Sequence, residues 1–209
     1  MRRYPFRLAV LLGLFFSAVV SGGEPEKVGI VKGLIAIGGK PTPDAVVSVE
    51  GLPQGHLKSQ FADQKSKRAL VDQQDMKFVP RVLPVVVGTT VDFPNHDKSF
   101  HNVFSNSDAK KFDLGLYPSG KSRSATFDTT GVVRVLCNVH PTMEAFIVVV
   151  GHTYFSATDK NGNYQVNAVP LGKYRLEVWH PEFGAQVLPF ELVRGDEVLG
   201  IDLDFKKQR

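Results

Sequence analysis

The sequence predicts an all-β protein, a β-sandwich or barrel. Three observations predict it. Apolar runs are short and rich in β-branched and aromatic residues, Gly, Pro, Asn and Asp interrupt them at close intervals, and no stretch repeats its apolar residues with helical spacing. The chain has 209 residues, among them 19 Gly and 13 Pro, a supply of breakers that suits many turns and excludes long helices.

The first stretch is set apart from the rest. Met1-Arg2-Arg3-Tyr4-Pro5-Phe6-Arg7 is basic, residues 8–20 are apolar, and Val20-Ser21-Gly22 offers small residues for cleavage. The apolar run falls short of the ~20 residues that span a bilayer. Residues 1–22 therefore read as a secretory signal peptide, with an uncleaved anchor as the alternative, and the expected location is the periplasm. Losing Arg2, Arg3 and Arg7 takes the net charge from +4 to about +1 in the mature chain. No basic helix or aromatic-interleaved basic stripe points to nucleic acid, and no later run is long enough to be a membrane span.

From residue 28 the elements follow in order. Val28-Gly29-Ile30-Val31-Lys32-Gly33-Leu34-Ile35 and Ala45-Val46-Val47-Ser48-Val49-Glu50 are two strands around the turn Gly38-Gly39-Lys40-Pro41-Thr42-Pro43-Asp44. Residues 54–68 are polar and read as a surface connection with room for one short helix, carrying a solvated His56. Strands return from about residue 69. Phe78 to Val87 contains Pro80 and Pro84, which predicts an edge strand or a bulge. Thr90-Val91-Asp92-Phe93 and His101-Asn102-Val103-Phe104 flank a loop over residues 94–99. Residues 105–120 are rich in turn formers, with Phe112, Leu114, Leu116 and Tyr117 expected to cover the core. Segments 122–127, 131–137 and 144–150 complete this sheet structure.

The last two of these segments enclose Cys137-Asn138-Val139-His140-Pro141-Thr142-Met143. A strand–loop–strand unit would present a thiolate, an imidazole and a thioether from one tight turn. Such soft and borderline donors favour copper over magnesium, calcium or manganese. A trigonal His₂Cys centre with a weak axial Met needs one more imidazole, and His101 is the candidate. The plainer alternative is a buried structural Cys, a surface His and a core Met. Cys137 is the only cysteine. In an exported protein it has no internal disulfide partner, so it is paired elsewhere, free or ligated.

Phe78-x-Pro80, Val87-Gly88-Thr89-Thr90-Val91-x-Phe93-x-Asn95, His101-Asn102-Val103, Phe127-x-x-x-Gly131 and Cys137-x-x-His140-x-x-Met143 together resemble the cupredoxins. With Pro141 inside it, the ligand loop is most similar to amicyanin, and the segment also resembles bacterial plastocyanin-like proteins labelled methylamine-utilisation proteins. The resemblance covers residues 66–151. It implies a Greek-key β-sandwich holding one type 1 (blue) copper ion on His101, Cys137, His140 and Met143. It also implies that Asn102 ties the His-bearing segment to the Cys-bearing loop; an ordinary turn Asn is the alternative. The implied function is single-electron transfer between redox partner proteins, without catalysis. Phe100, Val139, Pro141 and Phe146 are candidates for an apolar docking rim, with plain core packing as the alternative. Asn138-Val139, Thr142 and the long segment 105–120 need not match the family, which leaves the docking partner open.

Beyond residue 152, Thr158-Asp159-x-Asn161-Gly162-x-Tyr164 and Pro170-x-Gly172-x-Tyr174-x-Leu176-x-Val178 resemble the carboxypeptidase-regulatory, transthyretin-like sandwiches. Residues 28–57 and 152–206 are expected to build one such sandwich, with the copper-binding segment inserted into it. His96 has no ligand spacing, His152 lies in or beside this second sandwich, and His180 reads as structural. The absence of His-x-His pairs gives no support to a catalytic copper, and no phosphate loop, serine elbow or His-Glu-x-x-His string is present. Two other functions use the same residues differently: copper trafficking or storage, and a β-sandwich binding module with no metal.

Overall fold

A computed structural model describes residues 27–53 and 67–206. The proposed signal peptide and His56, with nearly all of its polar connection, lie outside the described residues. Every regular element among the described residues is a β-strand.

Two cores organise the strands. The first belongs to the middle of the chain: β4 (Arg68–Leu70), β5 (Asp72–Gln74), β6 (Lys77–Val79), β7 (Val82–Val86), β8 (Thr89–Pro94), β9 (His101–Ser107), β10 (Lys110–Tyr117), β11 (Ser122–Phe127), β12 (Gly131–Leu136) and β13 (Glu144–Val150). One sheet runs β10-β9-β12-β13-β7, another runs β11-β8-β4, and β5 pairs with β6. Period-two alternation turns Val91 and Phe93 of β8, Val133 and Val135 of β12, and Ala145 and Ile147 of β13 into one shared core. The proline-bearing β7 is the outermost strand of its sheet, where a missing N–H costs least.

The second core is built from both ends of the described chain. β1 (Val28–Ile37) pairs with β2 (Lys40–Pro41), β15 (Asn163–Pro170), β18 (Val198–Gly200) and β19 (Leu203–Phe205). β3 (Val46–Glu50) lies between β14 (Phe155–Ala157) and β16 (Gly172–His180), and β17 (Gly184–Leu192) closes that sheet. Neither β1 nor β3 pairs with a strand of the middle segment. The chain leaves this unit after β3 and re-enters it at β14. Those two strands are hydrogen-bonded neighbours, with Ser48 opposite Phe155, so the exit and return points lie side by side. The turn after β14 needs its glycine: Gly162 has φ +76°, and a Cβ there would sit 2.4 Å from the Ile35 carbonyl oxygen.

β13 joins the two cores, and this explains its unbroken apolar run. Ala145, Ile147 and Val149 face the first core. Phe146, Val148 and Val150 face the other way, into a seam with Val46, Val82 and the only tryptophan, Trp179. The Phe146 and Trp179 rings lie 5.5 Å apart. Phe146 is therefore part of this seam, and its expected place on a docking rim is corrected.

The segment 105–120 also differs from its turn-rich reading. It is largely the hairpin β9–β10, which turns at Asp108-Ala109. Its register shifts between Asp113 and Leu116, where Gly115 has φ +68°. The extra residue reverses the parity of the strand. Phe112 and Leu114 face inward before it and Tyr117 after it, while Leu116 is left exposed. Gly115→Ala is expected to lower stability by about 1–2 kcal/mol through left-handed strain. A thermal melt of the metal-free protein checks this, and an unchanged midpoint would contradict it.

Candidate metal centre

Two neighbouring strands deliver the donors. His101 opens β9, and Cys137 stands just past the end of β12. These strands are adjacent in the sheet, with Leu136 opposite Phe104. The chain then bends at Asn138 and Val139 and turns at Pro141 and Thr142, where the Met143 N–H donates to the His140 carbonyl at 2.9 Å. β13 starts immediately afterwards. Both sides of the loop are thus anchored in sheet, which restricts the movement of its side chains.

The result is a compact donor cluster. One ligand atom each from His101, Cys137 and His140 lie within 4.8 Å of one another. The two Nδ1 atoms are 3.0 Å apart, and Cys137 Sγ is 3.9 Å from His101 Nδ1. His101 and Cys137 are buried and His140 is half-buried, so the cluster meets solvent along the His140 edge. Met143, 1 % exposed, packs in the same core as Cys137.

His101 is held from behind. Its Nε2 lies 3.0 Å from Asp97 Oδ2. The same carboxylate accepts the N–H of Met76 at 2.7 Å and that of Lys98 at 2.9 Å. The Met76 amide, with smaller help from His101 and Lys98, holds the Asp97 carboxyl below the usual carboxylate range. An ionised Asp97 accepts from Nε2–H, which leaves a lone pair on the Nδ1 that faces Cys137 and His140.

The donor set fits copper. Metal–nitrogen bonds of about 2.0 Å and metal–sulfur bonds of about 2.3 Å set neighbouring donors about 3.3–3.7 Å apart at tetrahedral to trigonal angles, and the 3.0 and 3.9 Å found here lie within a few tenths of an ångström of that. One soft sulfur and two borderline nitrogens also match copper's preferences.

A buried network supports the floor. Tyr117, paired with His101 across β9 and β10, donates its hydroxyl to the Phe93 carbonyl and accepts from Gln73 Nε2 at 2.7 Å. Burial pushes the Tyr117 phenol up to about 12. Asn95 pins the loop before His101: its side chain donates to the carbonyls of Ser99 and Tyr117 and accepts the Asp97 N–H.

Asn102 departs from the role implied by the resemblance. Its Nδ2 donates to Asp113 Oδ1 at 2.7 Å, and its Oδ1 is buried without a hydrogen-bond partner. Asp113 Oδ1 also accepts the Gly115 N–H. Asn102 therefore fastens the His-bearing strand to the bulge of β10, and its side chain makes no hydrogen bond to the Cys137 loop. Around the cluster, Phe100 and Val139 are 54 % and 46 % exposed, and Pro141 is exposed. His96 is largely exposed with Nδ1 2.9 Å from the Asp72 carboxylate. His152 and His180 are buried, beside Glu50 and among Phe183 and Phe205 respectively.

Asp97 and Asn95 are the residues that sequence reasoning missed as parts of this site. For Asp97 a signal existed, since a ligating His usually donates its second nitrogen to a carboxylate or carbonyl, and Asp97 lies four residues before His101. Asn95 belonged to the family pattern, but nothing in its spacing showed what its amide would hold.

Residues 66–151 match the family described as copper binding proteins, plastocyanin/azurin family. No curated protein matches the chain. Among solved structures, the chain is similar to a purple cupredoxin from Nitrosopumilus maritimus, at 24 % identity over 39 % of this chain and 99 % of that one, with a TM-score of 0.36. It is similar to amicyanin from Paracoccus versutus at 22 % identity over 43 % of this chain and 87 % of that one, with a TM-score of 0.37. A copper-containing nitrite reductase from Thermus scotoductus matches at 26 % identity over 40 % of this chain but only 22 % of its own length, with a TM-score of 0.38.

Proposed function

Residues 66–151 form a copper-binding domain of the cupredoxin type, and from this premise we propose that the protein is a type 1 copper electron carrier of the periplasm. The observation that carries the proposal is the convergence of His101, Cys137 and His140 on one point, with only His140 reaching toward solvent. His101, Cys137, His140 and Met143 would hold the ion. A bound copper ion supplies a one-electron Cu(II)/Cu(I) couple.

The chain's own part is to keep the donors still and dry. Strand anchoring on both sides of the 137–143 loop resists the change of shape that each oxidation state prefers, so little reorganises on transfer. Burial of Cys137 and Met143 excludes water and competing ligands. The half-buried His140 offers the short route to a partner, and exposed Phe100, Val139 and Pro141 provide an apolar surface around it for transient docking. The redox partners are proteins that meet this patch. Residues 28–53 and 152–206 make up the separate transthyretin-like sandwich that carries the copper domain as an insertion.

Voltammetry of the copper-loaded protein tests the carrier role. One reversible one-electron wave is expected. Tight, exchangeable Cu(I) with no reversible wave would replace electron transfer with copper trafficking or storage.

A further inference from the structure

Among the charged groups outside the donor set, one is built into the site from three separate segments. Asp97 Oδ2 lies 3.0 Å from His101 Nε2 and accepts the Met76 N–H at 2.7 Å, while Oδ1 accepts the Lys98 N–H at 2.9 Å. The Asp97 N–H donates in turn to Asn95 Oδ1 at 3.0 Å. The Met76 amide is supplied from an unusual place. Asp75 and Met76, the turn between β5 and β6, both have positive φ, 50° and 55°, a conformation that two-residue hairpins usually give to Asn-Gly or Asp-Gly. Non-Gly residues adopt it at a steric cost, and here it aims a backbone donor at the Asp97 carboxylate.

We propose that Asp97 is a positioning residue that sets both the tautomer of His101 and the oxidation-state preference of the copper centre. The inference rests on the copper reading given above. Asp97 Oδ2 accepts the Met76 N–H beside His101 Nε2 and Oδ1 accepts the Lys98 N–H, so both oxygens are engaged as acceptors. Its Oδ2 takes the His101 Nε2–H, which fixes that proton on the outer nitrogen and leaves Nδ1 free for metal. A carboxylate 3.0 Å behind the ligand, on the side away from the donor cluster, favours the more highly charged ion, so Asp97 stabilises Cu(II) over Cu(I).

Asp97→Asn keeps size and shape. Its NH₂ must face at least one of the three donors, and the full negative charge is gone. The variant is expected to lose about 10–100-fold in Cu(II) affinity, the usual range for outer-shell partners of ligating histidines, with a smaller loss for Cu(I). The reduction potential therefore rises, by about 59 mV for each tenfold gap between the two losses. A merely structural role would weaken both oxidation states alike and leave the potential where it was. Asp97→Glu, which retains the charge, is expected to keep the potential closer to wild type than Asp97→Asn does. A second measurement needs no variant: ¹⁵N NMR of the Cu(I) wild-type protein should show His101 protonated at Nε2, with that proton slow to exchange. An unprotonated Nε2, or an Asp97→Asn protein that stays blue at an unchanged potential, overturns the inference and leaves the carrier role standing. A wild-type protein with no blue band removes both.

Discussion

Cys137→Ser is expected to abolish the intense visible absorption of the Cu(II) protein altogether. The band of a blue centre arises from charge transfer between a thiolate and copper, and Cys137 is the only thiol in the chain. Its Sγ lies 3.9 Å from His101 Nδ1 and points into the donor cluster. A serine hydroxyl at the same place is a hard, neutral donor that suits neither oxidation state of copper well. His101 and His140 remain, so weak, nearly colourless copper binding is the expected residue of the site. The polypeptide itself should survive, since a buried hydroxyl without a partner costs about 1–3 kcal/mol against a typical total of about 5–15 kcal/mol. Metal-free Cys137→Ser with native-like unfolding and no blue colour on copper addition is the predicted combination. A blue Cys137→Ser protein would show that another group supplies the chromophore.

Phe205→Ala is expected to give the largest loss of stability outside the copper domain. Phe205 is fully buried in β19 and stacks on Phe183 and His180, with ring centroids 5.5 and 6.0 Å away. Truncating a buried Phe costs about 3–5 kcal/mol from lost burial and the cavity left behind. The damage should stay in the second core, because Phe205 belongs to a cluster that shares no residue with the one around Cys137. Denaturant unfolding should show the lower midpoint, while the position of the copper band in the folded protein stays unchanged. A shifted band would mean that the two cores are mechanically coupled through the Phe146–Trp179 seam.

The centre was legible from sequence because its chemistry is local. Cys137, His140 and Met143 are separated by two residues each, and the β-branched runs on both sides could only be strands around a short loop. His101 took one long-range step, and the segment pattern supplied it. Other features depended on where strands lie relative to each other. Phe146 sits in a uniformly apolar run, where periodicity cannot say which face meets which core. The bulge at Gly115 changes the parity of β10 by one residue, so Leu116 and Tyr117 exchanged the places that alternation alone would give them. Asn102 was assigned its partner by family likeness, whereas its actual partner, Asp113, depends on that same bulge. Asp97 lay in a segment read only as a loop, and its role follows from the Met76 and Lys98 amides that converge on it.

The visible absorption spectrum of the Cu(II)-reconstituted wild-type protein tests the central claim most directly. A strong thiolate-to-copper charge-transfer band that disappears on reduction and returns on oxidation is the result expected from Cys137 bound beside His101 and His140. A stoichiometric Cu(II) complex without colour would mean that sulfur does not bind the ion, and the assignment of a type 1 centre would be wrong.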